Sequence, residues 1–365
     1  MRARKGAQCS LAVCGKPFIC SRENLTVSNM DVVTSKAIGC LYGLAVGDAM
    51  GMPTEIMTID EIQKKHGWIS EFVDPPRIHP IAGEVGLKLG QVTDDTMQAL
   101  ITAKVLIEFG KIVPEAILEG LYGWLKSEHI TTNFLGPSTR KALEIFASTR
   151  TVDEKALRSN ATDGAAMRIA PVGIFYHGDC EKAYEAAILA SKTTHTSSVA
   201  ISSAVCVACS VAAAMENDAS VESVVESALY WSEKASKLGL TGLGYAPIHS
   251  RTKLALDLTK GADGMKALRI IHDYIGHSLM SNEAVPAAIT LFKLSEGDPL
   301  KAVAMATNLG GDSDTVAAMT GAMSGAFKGI DAIPASLTKK IEEVNKLDLD
   351  RVAVALLEKK KELER

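Results

Sequence analysis

The chain of 365 residues is poor in aromatics, at 5%, and has no surplus of positive charge: 39 Lys and Arg face 43 Asp and Glu, a formal net charge of −4. Without a basic surplus there is no broad attraction to nucleic acid or anionic membrane, so a phosphate-rich ligand needs local groups to hold it. No apolar run reaches the roughly 18 residues of a membrane-spanning helix. Seven cysteines are too few and too scattered for a secreted disulfide framework in a chain this long, which points to a reducing cytoplasm. Cys206 and Cys209 form a C-x-x-C inside an Ala, Val, Ser and Ile stretch and read as small core residues. Alternating β-branched runs are scarce, and no repeat or low-complexity linker divides the chain.

What is present is 47% hydrophobic content beside 22% charged residues, enough to bury a sizeable core in a soluble globular enzyme. The first 29 residues hold Cys9, Cys14 and Cys20 with five Lys or Arg and one acid, Glu23. They read as a disordered or organelle-targeting leader, or as upstream translation of a chain starting at Met30. The expected division is therefore a leader over 1–33 and one domain over 34–365.

From Thr34 onward, Ala-rich apolar stretches at helical spacing alternate with short polar breaks, an all-α pattern. The spacing predicts helices at about 34–50, 58–66, 94–110, 114–127, 137–149, 153–158, 181–192, 197–215, 220–236, 251–259, 264–274, 282–295, 299–308, 314–328, 333–345 and 348–364. Residues 67–92 are the exception: Pro75, Pro76, Pro80, Gly83, Gly86 and Gly90 make a long loop of the kind that serves a site rather than a core.

Two acidic clusters carry the chemistry: Thr93-Asp94-Asp95-Thr96 and Asp312-Ser313-Asp314-Thr315. Asp and Thr are also ordinary helix-start residues, and each cluster alone reads as readily as a cap. Together they form an oxygen-only ligand set, without Cys or His, suited to magnesium, calcium or manganese. If the clusters meet, four carboxylates need one or two divalent ions between them, and a pair about 3.5–4 Å apart is a familiar catalytic device. After the second cluster, Gly321 and Gly325 at four-residue spacing let another backbone approach closely. Asp48, inside an apolar helix, needs a partner or a cation.

Five separated motifs in order complete the pattern: Gly39 to Glu55 (GCLYGLAVGDAMGMPTE), Thr93 to Thr96, Asp163 to Arg168 (DGAAMR), Thr194-His195, and Gly310 to Thr315 (GGDSDT). Over roughly residues 34 to 330 the chain closely resembles the ADP-ribosylglycohydrolase family, which includes the dinitrogenase reductase-activating glycohydrolases. The resemblance implies a compact, single-domain, all-α orthogonal helical bundle with a central dimetal site holding two Mg2+, with Mn2+ as a substitute. It implies hydrolysis of the glycosidic bond of an ADP-ribosyl group on a protein or a small-molecule acceptor. The implied metal ligands are Thr93, Asp94, Asp95, Asp312, Asp314 and Thr315. Glu55, followed by Asp95, is the implied general base, and Asp48 an inner supporting acid. His195 would lie near the substrate ribose, and the 159–168 loop, with Asp163 and Gly164, would hold the diphosphate. Nucleic acid enters only as a modified substrate, and no membrane partner is implied.

Two positions depart from the family pattern. Asp163 stands where an asparagine is common, placing an acid near the expected diphosphate. Phe134 stands near a position where the nitrogenase-regulating members carry an aspartate, so an Arg-linked protein acceptor does not follow from the resemblance. Phe134 and Tyr176 are candidate adenine-stacking rings or core residues. Alternative functions are a metal-dependent phosphohydrolase, suggested by His272-Asp273 but without a convincing ligand set from His249 and His277, a nucleoside-processing hydrolase, and a non-catalytic crystallin-like member.

Overall fold

The computed structural model describes residues 30–79, 83–84, 86–127, 130–238 and 244–365. Most of the expected leader, residues 1–29, lies outside them, as does Pro80. The described residues are mostly helical, with sixteen α-helices and one two-stranded ribbon, Ile78–His79 paired antiparallel with Gly83–Glu84. None of the helices is long and apolar enough to cross a membrane.

The centre of the bundle is a pair of antiparallel helices, Val32–Gly51 and Ser313–Lys328, that touch backbone to backbone. The contact follows a glycine stripe with a period of four. A Cβ at Gly39 would strike the Gly325 carbonyl, one at Gly43 the Gly321 carbonyl, and one at Gly47 the Ala317 carbonyl. At Gly51 it would strike the Ser313 carbonyl. Residues four apart share a helix face, so this stripe is a flat, side-chain-free surface. The close approach expected of Gly321 and Gly325 is thus present, and its other half lies in the first motif.

The consequence is positional. Because the helices run antiparallel, the end of the first (Gly51) meets the start of the second (Ser313), which carries the second acidic cluster. Thr54, in the 3-10 turn Met52–Thr54, fixes this junction: its hydroxyl lies 2.8 Å from Thr307 O and 3.0 Å from Ser313 Oγ. Around the pair, helix Ser198–Ala214 is buried nearly all round, and Cys206 and Cys209 are free thiols within it, in the core as expected.

Three expectations change. Residues 153–158 form turns rather than a helix, with Leu157 N bonding Asp153 O and Asn160 N bonding Leu157 O, and the chain leaves them directly into the buried Asn160. The helix expected over 264–274 is α-helical for Gly264–Ile270 and then widens to a π turn, Ile271–Ile275, ended by Gly276 at φ 81°. The 3-10 turn Asp163–Ala165 and the six-residue helix Ala170–Phe175 are too short to leave a periodic signal.

Candidate metal and catalytic site

The two acidic clusters face one cavity of about 410 Å³, within the usual size range for small-molecule sites. Its walls include Glu55, Asp94, Asp95, Asp163, Gly164, Asp312, Asp314 and Thr315. Glu55, Asp312 and Asp314 each offer a carboxylate oxygen within 4.8 Å of the others. Asp94 and Asp95 line the same space from the first turn of helix Asp94–Phe109.

Each acid is held by a specific local device. Asp48 extends from the central helix to the start of helix Asp94–Phe109, where it accepts from Thr93 N (2.9 Å), Thr93 Oγ1 (2.7 Å), Thr96 N (3.1 Å) and Thr96 Oγ1 (2.5 Å). It is the partner the sequence demanded: a capping carboxylate supplied from a different helix. Burial nonetheless raises its pKa to about 6. Thr93 is thereby turned toward Asp48 and does not line the cavity.

The second cluster is set by the turn Gly310-Gly311, both at positive φ (77° and 63°), a conformation that suits glycine. Ile56 N donates to Gly311 O (2.6 Å) and Gly311 N to Met57 O (3.0 Å), so the loop after Glu55 and the loop before Asp312 are stitched together. Ile56 itself sits at φ 66°, an unusual conformation for a β-branched residue. The strain lies beside Glu55.

Two histidine devices were not legible as site residues. His79, 1% exposed on the short ribbon, places Nε2 2.9 Å from Glu55 Oε2 and packs its ring against Phe134 at 5.3 Å between centroids. Its sequence neighbourhood shows only a Pro- and Gly-rich loop. His277 backs the glycine turn: Nδ1 donates to Gly310 O (2.9 Å), so Nε2 accepts from His272 Nδ1 (2.8 Å). Both rings line the cavity, whereas His249 pairs with Ser250. Among the described residues the clustered metal-ligand group contains no histidine, so no His-rich phosphohydrolase set is assembled.

Behind the wall runs a buried polar chain. Arg168 is only 2% exposed. It donates to Gln98 Oε1 (2.7 Å) and to Thr194 Oγ1, and Gln98 Nε2 donates on to Asp94 Oδ2 (2.7 Å). Since a guanidinium can only donate, Thr194 accepts from Arg168 and donates its own hydroxyl hydrogen bond to His195 Nδ1 (2.7 Å). His195 then carries its proton on Nε2, which donates to Thr162 Oγ1 (2.8 Å), and Thr162 donates to Ser138 Oγ (2.8 Å). Burial, then the Arg168 charge, pushes the His195 pKa well down, so the ring is neutral. Burial lowers Arg168 itself to about 10. His195 is therefore fully buried behind Gly164, where it braces the 159–168 loop rather than lining the cavity. Tyr176 does not line the cavity either and packs edge-on against Phe175, while Phe134 does line it.

The electrostatics are one-sided. Burial, reinforced by neighbouring carboxylates, raises Asp94, Asp95, Asp312 and Asp314 well above the ordinary range and Asp163 to about 8. Oδ1 of Asp95, Oδ2 of Asp163, Oδ2 of Asp312 and Oδ1 of Asp314 are buried with no hydrogen-bond donor. Buried carboxylate oxygens that no protein donor satisfies suit a hard divalent cation.

Comparison with known proteins gives the family. The sequence profile described as ADP-ribosylglycohydrolase matches residues 29–364. The chain is 34% identical over 328 residues to the uncharacterized protein YegU of Escherichia coli, covering 88% of this chain and 96% of that protein. It is 24% identical to the ADP-ribosyl-[dinitrogen reductase] glycohydrolase of Rhodospirillum rubrum, covering 89% and 96%, and 26% identical to the ADP-ribosylarginine hydrolase Tri1 of Pseudomonas putida, covering 84% and 74%. A solved structure titled ADP-ribosylglycohydrolase-related protein complex superposes with a TM-score of 0.63 at 24% identity, covering 91% of this chain and all of that one, and so shares its fold. The all-α bundle, the paired acidic segments and these relatives together place this chain in the ADP-ribosylglycohydrolase family.

Proposed function

We propose that this protein is a magnesium-dependent hydrolase of the glycosidic bond between ADP-ribose and a protein or small-molecule acceptor, with manganese as a working substitute. One observation carries the reading: two acidic segments more than 200 residues apart in sequence converge on one cavity with buried, donor-free carboxylate oxygens.

Asp94, Asp95, Asp312, Asp314 and Thr315 would hold the cations, with Thr93 supporting them through Asp48. When bound, the cations would orient ribose hydroxyls and supply charge stabilisation. Glycoside cleavage passes through an oxocarbenium-like state and calls for a carboxylate to take a proton from the attacking water. Glu55 is our first candidate for that role, because it lines the cavity with His79 Nε2 2.9 Å from its Oε2, and Asp95 is the second. Asp163 and Gly164 would meet the substrate on the 159–168 loop, which His195 braces from behind. Phe134 offers a ring at the rim.

The test is release of ADP-ribose from a panel of Arg-, Ser- and nucleic-acid-linked conjugates in the presence of Mg2+. Wild-type protein should release ADP-ribose from at least one conjugate, and Asp94→Ala and Asp314→Ala should lose at least about a hundredfold in turnover, the scale of removing one preorganised electrostatic group. Equal turnover in chelator-treated wild type would refute cation dependence.

A further inference from the structure

The carboxylate of Asp163 has no evident role in the bundle itself. It is 4% exposed, lines the cavity, and has Oδ2 buried without a hydrogen-bond donor. Its backbone is held in place: Asp163 N donates to Leu279 O (3.1 Å), Ser281 N to Ala161 O (3.1 Å) and Ser281 Oγ to Thr162 O (2.8 Å), tying its loop to residues 279–281. Its carboxylate neighbours that of Asp312, and both line the same cavity. Asp312 in turn has Oδ2 buried without a donor and is held by its own backbone, with Asp312 N bonded to His277 O (2.9 Å).

Among the described residues nothing basic relieves this pair. Arg168, the buried cation nearby in sequence, donates to Gln98, Thr139 and Thr194 and acts electrostatically on Asp94. An amide at position 163 would satisfy Asp312 by donating an N–H. A carboxylate cannot, and leaves two acceptors facing each other unless a proton or a cation joins them.

We propose that Asp163 is an additional cation ligand, sharing with Asp312 an ion of the acidic site, so that this chain holds its metal with one more carboxylate than the two acidic clusters supply. The proposal rests on the cation site proposed above. Its functional consequence is tighter retention of the metal, because ligand charge count is a principal determinant of affinity for hard cations. A second consequence is that the metal-free protein is strained at this point, since the ligand is a liability until the cation arrives.

The experiment is calorimetric titration of chelator-stripped protein with Mn2+ alone, paired with thermal denaturation with and without Mn2+, on wild type, Asp163→Asn and Asp163→Ala. We expect Asp163→Asn to bind Mn2+ at least about tenfold more weakly, to melt higher than wild type without metal, and to gain less on adding it. Asp163→Ala reproduces the affinity loss without supplying a donor, and keeps the test decisive if one variant folds poorly. Unchanged Mn2+ affinity and stoichiometry in both variants, with wild type binding normally, would overturn the role of Asp163 and leave the cation site standing. Failure of wild type itself to bind Mn2+ would overturn both.

Discussion

The imidazole of His79 reaches Glu55 from a ribbon of two residues per strand, and the neighbouring Ile56 is held at φ 66° by its bond to Gly311. A carboxylate that must take a proton from water at one place benefits from both constraints, since small misplacements of a reacting group are costly. His79→Ala should therefore lower kcat for ADP-ribose release on the order of tenfold or more, while the rise in melting temperature on adding Mn2+ persists. Steady-state kinetics beside thermal denaturation separates the two, and an unchanged kcat would show that His79 does not position Glu55. Of the residues involved, Asp94, Asp95, Asp312 and Asp314 were legible because the two clusters taken together make an oxygen-only ligand set, whereas Glu55 was legible only through the resemblance of the Gly39 to Glu55 motif. His79 was not, because a lone histidine in a Pro- and Gly-rich loop looks the same whether it points to water or to a catalytic acid. Asp48 was legible only as a problem, a buried charge without a partner, and its answer, the N-terminus of helix Asp94–Phe109, lies 45 residues away.

At the level of elements, the glycine stripe joins the central pair of helices and thereby brings Glu55 to Asp312. Adding one methyl at Gly43 or Gly321 forces it into the opposing carbonyl, and Gly43→Ala or Gly321→Ala should destabilise by about 1–3 kcal/mol, the usual range for overpacking. Gly123, exposed on helix Pro114–Lys126 where an added methyl would meet no atom within 4 Å, is the control: Gly123→Ala should stabilise by about 0.5–1 kcal/mol from helix propensity alone. Chemical denaturation measures all three, and equal effects at the packed and open sites would mean the stripe is incidental. The long helices were readable from apolar spacing, and the loop over 67–92 from its Pro and Gly residues. The turn at 153–158, the 3-10 turn Asp163–Ala165 and the π turn Ile271–Ile275 were not, since one turn holds too few residues to show a period and tertiary bonds decide its shape.

For the whole molecule, the concentration of acid at one buried point makes stability depend on pH in an unusual direction. Asp48 is raised to about 6, Asp163 to about 8, and Asp94, Asp95, Asp312 and Asp314 well above the ordinary value, chiefly by burial. The folded state then holds more protons than the unfolded chain, so their contribution is fully present below the unfolded carboxylate range and is lost as pH rises through about 6 to 8. Metal-free protein should melt lower at pH 8.5 than at pH 6, and saturating Mg2+ should narrow that gap by replacing protons with cations. A metal-free melting temperature that rises across this window would contradict the electrostatic picture. The fold class was legible in the sequence as a whole because helix was the only period present, and the meeting of the acidic clusters followed from their shared chemistry rather than from any local signal. Whether these clusters form one cation-dependent hydrolytic site is decided by reconstitution: strip the protein with a chelator, titrate Mg2+ back, and follow ADP-ribose release from a conjugate the untreated protein cleaves. Activity should vanish on stripping and return with Mg2+ in wild type but not in Asp314→Ala, whereas full activity in the stripped protein would mean that the acidic clusters do not form a cation-dependent site.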